Sequence, residues 1–214
     1  MFQPFSLTHV LFMLTGFGWT IGLAAIALVG GSIAGSGLTL MRVSSNRFLS
    51  RLAQAYIFVV QGTPLLVTLF IAYFGATYLG FTVSPLVAIA VAFSLYAAAF
   101  LADIWRGAIQ SVPAGQSEGA HALGLSRADA LISIIIPQAI RIATPPTVGF
   151  FVQLIKNTSL ASVVGFVELT RTAQIVSNAT FKPLDVYLTA AAFYFVFCFP
   201  ITLYSRHLEK RLGV

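Results

Sequence analysis

VLFMLTGFGWTIGLAAIALVGGSIAGSGLTLM, residues 10 to 41, contains no Asp, Glu, Lys or Arg, and neither does the stretch from residue 52 to residue 102. A helix needs ~20 mostly apolar residues to cross the hydrocarbon core of a bilayer, and each run exceeds that length. Of 214 residues, 58% are hydrophobic and 8% charged, whereas about a quarter of an ordinary soluble domain is charged. In a lipid core no water is present to pair backbone N–H and C=O groups, so only helices or a closed barrel span it. The apolar runs are too long and continuous for barrel strands, and the fold class follows: an all-α membrane protein.

About five transmembrane helices fit, within Val10 to Met41, Leu52 to Leu79, Pro85 to Gln110, Arg141 to Gly165 and Val186 to Ser205. The whole chain, 1–214, reads as one transmembrane domain. Secretory signals begin with positive charge, and here the first Arg is Arg42, so the first span is expected to be retained. Basic residues in short loops set orientation. Arg42, Arg47, Arg51, Arg106, Arg127, Arg141, Arg206, Lys210 and Arg211 fall on one side, and only Arg171 and Lys182 on the other. The expected topology is N-terminus outside and C-terminus cytoplasmic. This bias accounts for the net charge of +6 and requires no nucleic acid.

Several chemistries find no residues. There is no G-x-x-x-x-G-K-[ST] loop to cradle a phosphate. His9, His121 and His207 are scattered and Cys198 is alone in the fifth span, so neither a metal site nor a disulfide is expected. Nothing points to an enzyme. In GGSIAGSG, Gly31 and Gly35 repeat the spacing of Gly18 and Gly22, a pattern of small residues suited to close helix packing.

One segment breaks the apolar pattern: QSEGAHALGLSRADALISIIIPQ, residues 116 to 138. Pro113 suits a helix start, and Gly124 sits where a left-handed C-terminal cap is wanted, with Leu125 placed to pack back on Ala120. Ser126 and Asp129 have capping-box spacing, predicting a second helix at once, ended by the missing donor of Pro137. The expectation is two short helices bent at Gly124. Physics alone leaves open whether they merely reconnect two spans or form a docking surface, toward which the small Gly119, Ala120 and Ala122 beside Glu118 incline.

EGAHALG, followed by PQ, resembles the EAA loop of permease subunits from ATP-binding-cassette importers. Glu118, Ala120, Gly124 and Pro137 occupy the motif positions, and Gly119 stands where the first Ala is usual. QGTPLLVTLFIAYFG (61–75) resembles the second-span signature of the polar amino acid uptake branch, with Gln61 where Arg is frequent. YAAAFLADIWRGAIQSVPAGQ (96–116) and QLIKNTSLASVVGFVELTR (153–171) are similar to further segments of that branch, Asp103 replacing a Glu. The resemblance covers roughly residues 55 to 180, in the family's order.

The resemblance implies a permease subunit of the bacterial cytoplasmic (inner) membrane that translocates polar amino acids by alternating access. It implies a second permease subunit, identical or related, two ATPase subunits that carry the ATP and Mg, and an extracytoplasmic solute-binding protein. The coupling loop, about 112–138, would pass nucleotide-driven closure to the spans. The alternative is a stand-alone secondary transporter or channel not using ATP; it would be expected to show internal repeats, which the chain lacks.

Substrate pathway candidates come from polar residues within the spans. Pro146, Gly149, Gln153, Lys156, Asn157 and Leu160 share one face of the fourth span at 100° per residue, and Ser159 follows on. A mid-membrane Lys costs ~2.5–3.5 kcal/mol on insertion scales. Lys156 either attracts a substrate carboxylate or pairs with an acid such as Asp103 or Glu168. Asp103 has Arg106 one turn away and serves either that pair or substrate. Gln61 and Thr63 precede Pro64, which can break the helix and free carbonyls toward a cavity.

Overall fold

The computed structural model describes residues 4–212. Its elements are α1 Leu7–Val43, α2 Arg47–Gln61, α3 Leu65–Tyr78, α4 Pro85–Ser111, α5 Ala114–Ala122, α6 Arg127–Val164, α7 Leu169–Thr180 and α8 Pro183–Leu212. No strand occurs among the described residues. Helices α1, α4, α6 and α8 are each long and apolar enough to cross a membrane, and α2 with α3 makes a fifth candidate bent by 100°. The break falls at Gly62 to Pro64, where Gly62 N–H bonds back to the Phe58 carbonyl and Pro64 turns extended (ψ 135°) before α3 begins. Proline supplies no backbone donor there, so the ladder stops and restarts in a new direction.

The most extensive contact is between α1 and α4. Lipid tails are as apolar as Leu, so helices in a bilayer associate by close packing and hydrogen bonds more than by hydrophobic transfer. Gly30, Gly31 and Gly35 of α1 make that approach possible: a Cβ at Gly31 would fall on the Ala97 side chain, and one at Gly35 would lie 3.1 Å from the Ala98 carbonyl. Of the two expected small-residue pairs, only this one packs; a Cβ at Gly18 would meet nothing within 4 Å. Phe93, Ile89, Leu101 and Leu154 fill the centre beside Leu23 and Leu69.

The fourth span differs from its expected bounds. The sequence predicts a short helix ending at Pro137 and a new span from Arg141, whereas α6 runs through both. A single π-turn, Leu131–Ile135, precedes Ile136–Asn157, with Ile136 N–H bonding the Leu131 carbonyl, and this widened turn takes up the donor that Pro137 lacks without ending the helix. Pro145 and Pro146 also lie inside the helix, and Ser205 of α8 donates to the Pro145 carbonyl at 2.9 Å, a neighbouring-helix bond of the kind that steadies proline in a span.

The two ends of the bundle differ. Arg127 donates to Ser45, in the α1–α2 turn, at 3.5 Å, which puts α5 and the start of α6 beside the C-terminal end of α1. At the opposite end, α7 packs on the N-terminal part of α1, where a Cβ at Gly16 would sit 2.9 Å from the Glu168 carbonyl. Nine of the twelve Lys and Arg residues, all but Lys156, Arg171 and Lys182, therefore lie in the half that carries α5.

Candidate functional site

The first feature is the bent pair at the basic end. Gly124 adopts φ 80°, a conformation costly for residues with a Cβ. Its N–H bonds the His121 carbonyl at 3.0 Å while Leu125 N–H bonds Ala120 at 3.1 Å, the two bonds of a Schellman cap. Ser126 then caps α6 by accepting from Asp129 N–H at 3.2 Å and donating to its carboxylate at 2.6 Å. The turn is thus fixed by hydrogen bonds on both sides. Ala120 is buried against the bundle, whereas Glu118, Gly119, Gly124 and Pro137 are exposed. A Cβ at Gly119 would meet nothing within 4 Å, so the outer face of α5 is uncovered.

The second feature is the polar face of α6. Pro146, Gly149, Gln153 and Lys156 are exposed and Asn157 is half-buried, while the flanking Phe150 and Val152, and Leu154 and Ile155 further round the helix, are buried. Gln153 donates to the Tyr96 hydroxyl of α4 at 3.5 Å, and Asn157 also reaches it. Tyr96 stands on an aromatic stack, its ring 4.5 Å from Phe100, which lies 5.4 Å from Phe150. Lys156 has no carboxylate within 4.0 Å: among the described residues the ion pairs are Asp103 with Arg106 and Lys182 with Asp185. The pairing of Lys156 with Asp103 or Glu168 does not form. Asp103 faces Arg106 at 3.6 Å, and Arg106 donates to Gln110 at 3.1 Å, so the local pair does form. Ser159 turns its hydroxyl to the Lys156 carbonyl. Gln61 is exposed at the α2–α3 break and Thr63 donates to the Val59 carbonyl at 2.7 Å; neither meets the Tyr96 cluster through a hydrogen bond.

Glu168 was anticipated only as a partner for Lys156, and its surroundings are different. It caps α7, accepting from Arg171 N–H and Thr170 N–H, both at 2.9 Å. Thr20 of α1 donates to it at 3.3 Å and Tyr194 of α8 at 3.4 Å. The side chain is fully buried between the spans, and burial pushes its carboxyl above the ordinary value of 4.5. Glu is not among the residues usually found at an N-cap, so the acid before LTRTAQIV carried no clear signal of this role.

This is a multi-pass helical membrane protein with a hydrogen-bonded bent segment at its basic end and an uncovered polar face on one span. A family model described as the binding-protein-dependent transport system inner membrane component matches residues 27–214, and the chain belongs to that family. It is 37% identical over 200 residues to the "probable amino-acid ABC transporter permease protein YckA" of Bacillus subtilis, covering 94% of this chain and 88% of that one. To the L-cystine transport system permease protein TcyB of the same organism it is 36% identical over 198 residues, 92% and 85% covered. A crystal structure of an amino acid ABC transporter with histidines superposes with a TM-score of 0.88 at 34% identity, over 94% of each chain.

Proposed function

We propose that the chain forms half of the membrane pathway of an ATP-driven importer for polar amino acids. A second permease subunit completes it, ATPase subunits holding ATP and Mg bind at the α5 end, and a solute-binding protein delivers substrate at the α7 end. In this reading residues 1–214 act as a single transmembrane unit and 112–138 is the coupling loop, with Glu118 the polar contact, Gly119 the close-approach surface, Ala120 the inner side seated on the bundle, Gly124 the bend and Pro137 the point within α6 where the loop gives way to the span. The α5 end is cytoplasmic, because basic residues are retained on that side.

The observation that carries the proposal is the face of α6 on which Gln153 and Lys156 are exposed beside the half-buried Asn157, with Lys156 facing no carboxylate among the described residues. An ammonium at membrane depth without a carboxylate partner needs a water-filled path or a second subunit opposite it. An amino acid brings a carboxylate to Lys156, while Gln153, Asn157 and Ser159 offer hydrogen bonds. Gln61 and Thr63 at the break, and Asp103, complete the set of pathway residues. The names of the relatives support amino acids as the substrate class.

Alternating access would use this arrangement as follows. Movement applied to α5 reaches α6 through the capped turn at Gly124 and Ser126, and α6 carries the polar face. The test is ATP hydrolysis by the permease–ATPase complex in nanodiscs, with the binding protein and a panel of amino acids. One or more amino acids should stimulate turnover, and Lys156→Met should abolish the stimulation while leaving basal hydrolysis. No stimulation by any amino acid, or full stimulation in the Lys156→Met complex, would count against the reading.

A further inference from the structure

A cleft of about 470 Å3 opens between α1, α4 and α6 in the basic half, walled by Thr39, Leu40, Trp105, Ile140 and Thr144 among others. Its polar atoms are already spent: Thr39 donates to the Gly35 carbonyl at 2.8 Å, Thr144 to Ile140 at 2.7 Å and Trp105 Nε1 to Thr147 at 3.1 Å. What remains is a lining of methyl and methylene groups. Leu40, 57% exposed, and Ile140, 60% exposed, flank its mouth on the side of the spans.

A second cavity, of about 540 Å3, lies beneath α5 and is bounded by Ser45, Gln110, Ser117, His121 and Arg127. Ile109 lines both cavities, so the apolar cleft and the second cavity adjoin at that side chain. No acidic residue lines the second cavity. Arg127 has no carboxylate within 4.0 Å among the described residues, and its hydrogen bond is a long one to Ser45, 3.5 Å. The nearest acid in sequence, Asp129, is held by Ser126. Arg127 also stands in the first turn of α6, whose orphan N–H groups add positive potential.

An apolar slot between spans that adjoins a mixed cavity carrying Arg127, whose walls also include Val43, Val112, Leu131 and Ile135, matches one ligand chemistry, an acyl chain joined to a phosphate. Cationic pockets between spans are suited to anionic headgroups. We propose that this groove holds one anionic phospholipid of the surrounding bilayer, an acyl chain in the cleft and the phosphate against Arg127 beneath α5. The lipid would bridge α1, α4 and the bent pair and stiffen the seat of α5. The proposal is independent of the transport reading: loss of lipid binding leaves the polar face of α6 untouched.

The test is native mass spectrometry of the permease purified with its ATPase in mild detergent, after exchange into phosphatidylglycerol or phosphatidylcholine. The wild type should retain one phosphatidylglycerol per permease chain, preferred about fivefold over phosphatidylcholine, the discrimination expected from one basic side chain near the surface. Arg127→Gln should erase the preference. Thr144→Trp, which fills the mouth, should abolish retention of both lipids, and Ala139→Leu narrows the same cleft as a second variant should the first fail to purify. Arg51→Gln, an exposed arginine at the same end outside the groove, should behave as the wild type. Equal retention of the two lipids by the wild type, a preference that survives Arg127→Gln, retention undiminished by the cleft variants, or a cleft filled by the second permease subunit with no lipid retained would each overturn the proposal.

Discussion

Glu168 shows how much one residue can hold. Its two oxygens satisfy backbone donors of α7 and hydroxyls of α1 and α8, which joins three helices at a point where no water reaches. With its carboxyl raised above 4.5 by burial, the folded protein keeps a proton that the unfolded chain sheds. That stabilisation is complete below 4.5 and is lost as pH rises through the raised value, the direction required when the native state binds more protons. Thermal unfolding in detergent should therefore occur at lower temperature as pH increases across this window, and Glu168→Gln should flatten the trend. Parallel pH profiles for the two proteins would refute the assignment. The cap at Glu168 was not legible, because Glu is not a usual N-cap residue. Nor were its partners, since Thr20 lies 148 residues away and nothing in the sequence says which spans adjoin. Lys156, Gln153 and Asn157 were legible as one face because helical periodicity alone places them together. Gly119 makes a second prediction at this scale. With open space around its Cβ position, Gly119→Ala should raise helix stability by about 0.5–1 kcal/mol, seen as an unchanged or higher unfolding temperature, and a drop would show that the fold needs glycine there.

Among the elements, the bent pair was legible almost residue by residue. Gly124, Ser126 and Asp129 act through hydrogen bonds to near neighbours, and such bonds are written in spacing. Gly124→Ala should cost about 1–2 kcal/mol at φ 80°, the usual penalty for a Cβ in the left-handed region. The measurable consequence is faster hydrogen exchange at the amides of Gly124 and Leu125, and unaltered protection would contradict a strained turn. Pro137 was misread as a terminus because a proline's effect depends on whether a π-turn forms ahead of it, and neighbouring helices decide that. Likewise Gly18 and Gly31 look equivalent in sequence, yet only Gly31 meets a neighbour. Register between helices depends on the whole packing arrangement, which a local pattern does not carry.

For the whole molecule, the segregation of basic residues ties topology to function. A reporter fused after Arg51 should read as cytoplasmic, since Arg42, Arg47 and Arg51 share the half that carries α5, and a periplasmic signal there would invert the assembly. The helical membrane class was legible from apolar run length alone. The 100° break between α2 and α3 was foreshadowed by Pro64, but its angle depends on packing that a linear pattern does not encode. In the proposed function α5 receives force from an ATPase and passes it through the capped turn to the polar face of α6. The most direct measurement is ATP-dependent amino acid uptake into proteoliposomes by the complete complex, comparing wild type with Glu118→Lys, a charge reversal on the exposed face of α5. Uptake should collapse while the variant permease remains folded and monodisperse. Uptake at the wild-type rate by Glu118→Lys would contradict that role of α5.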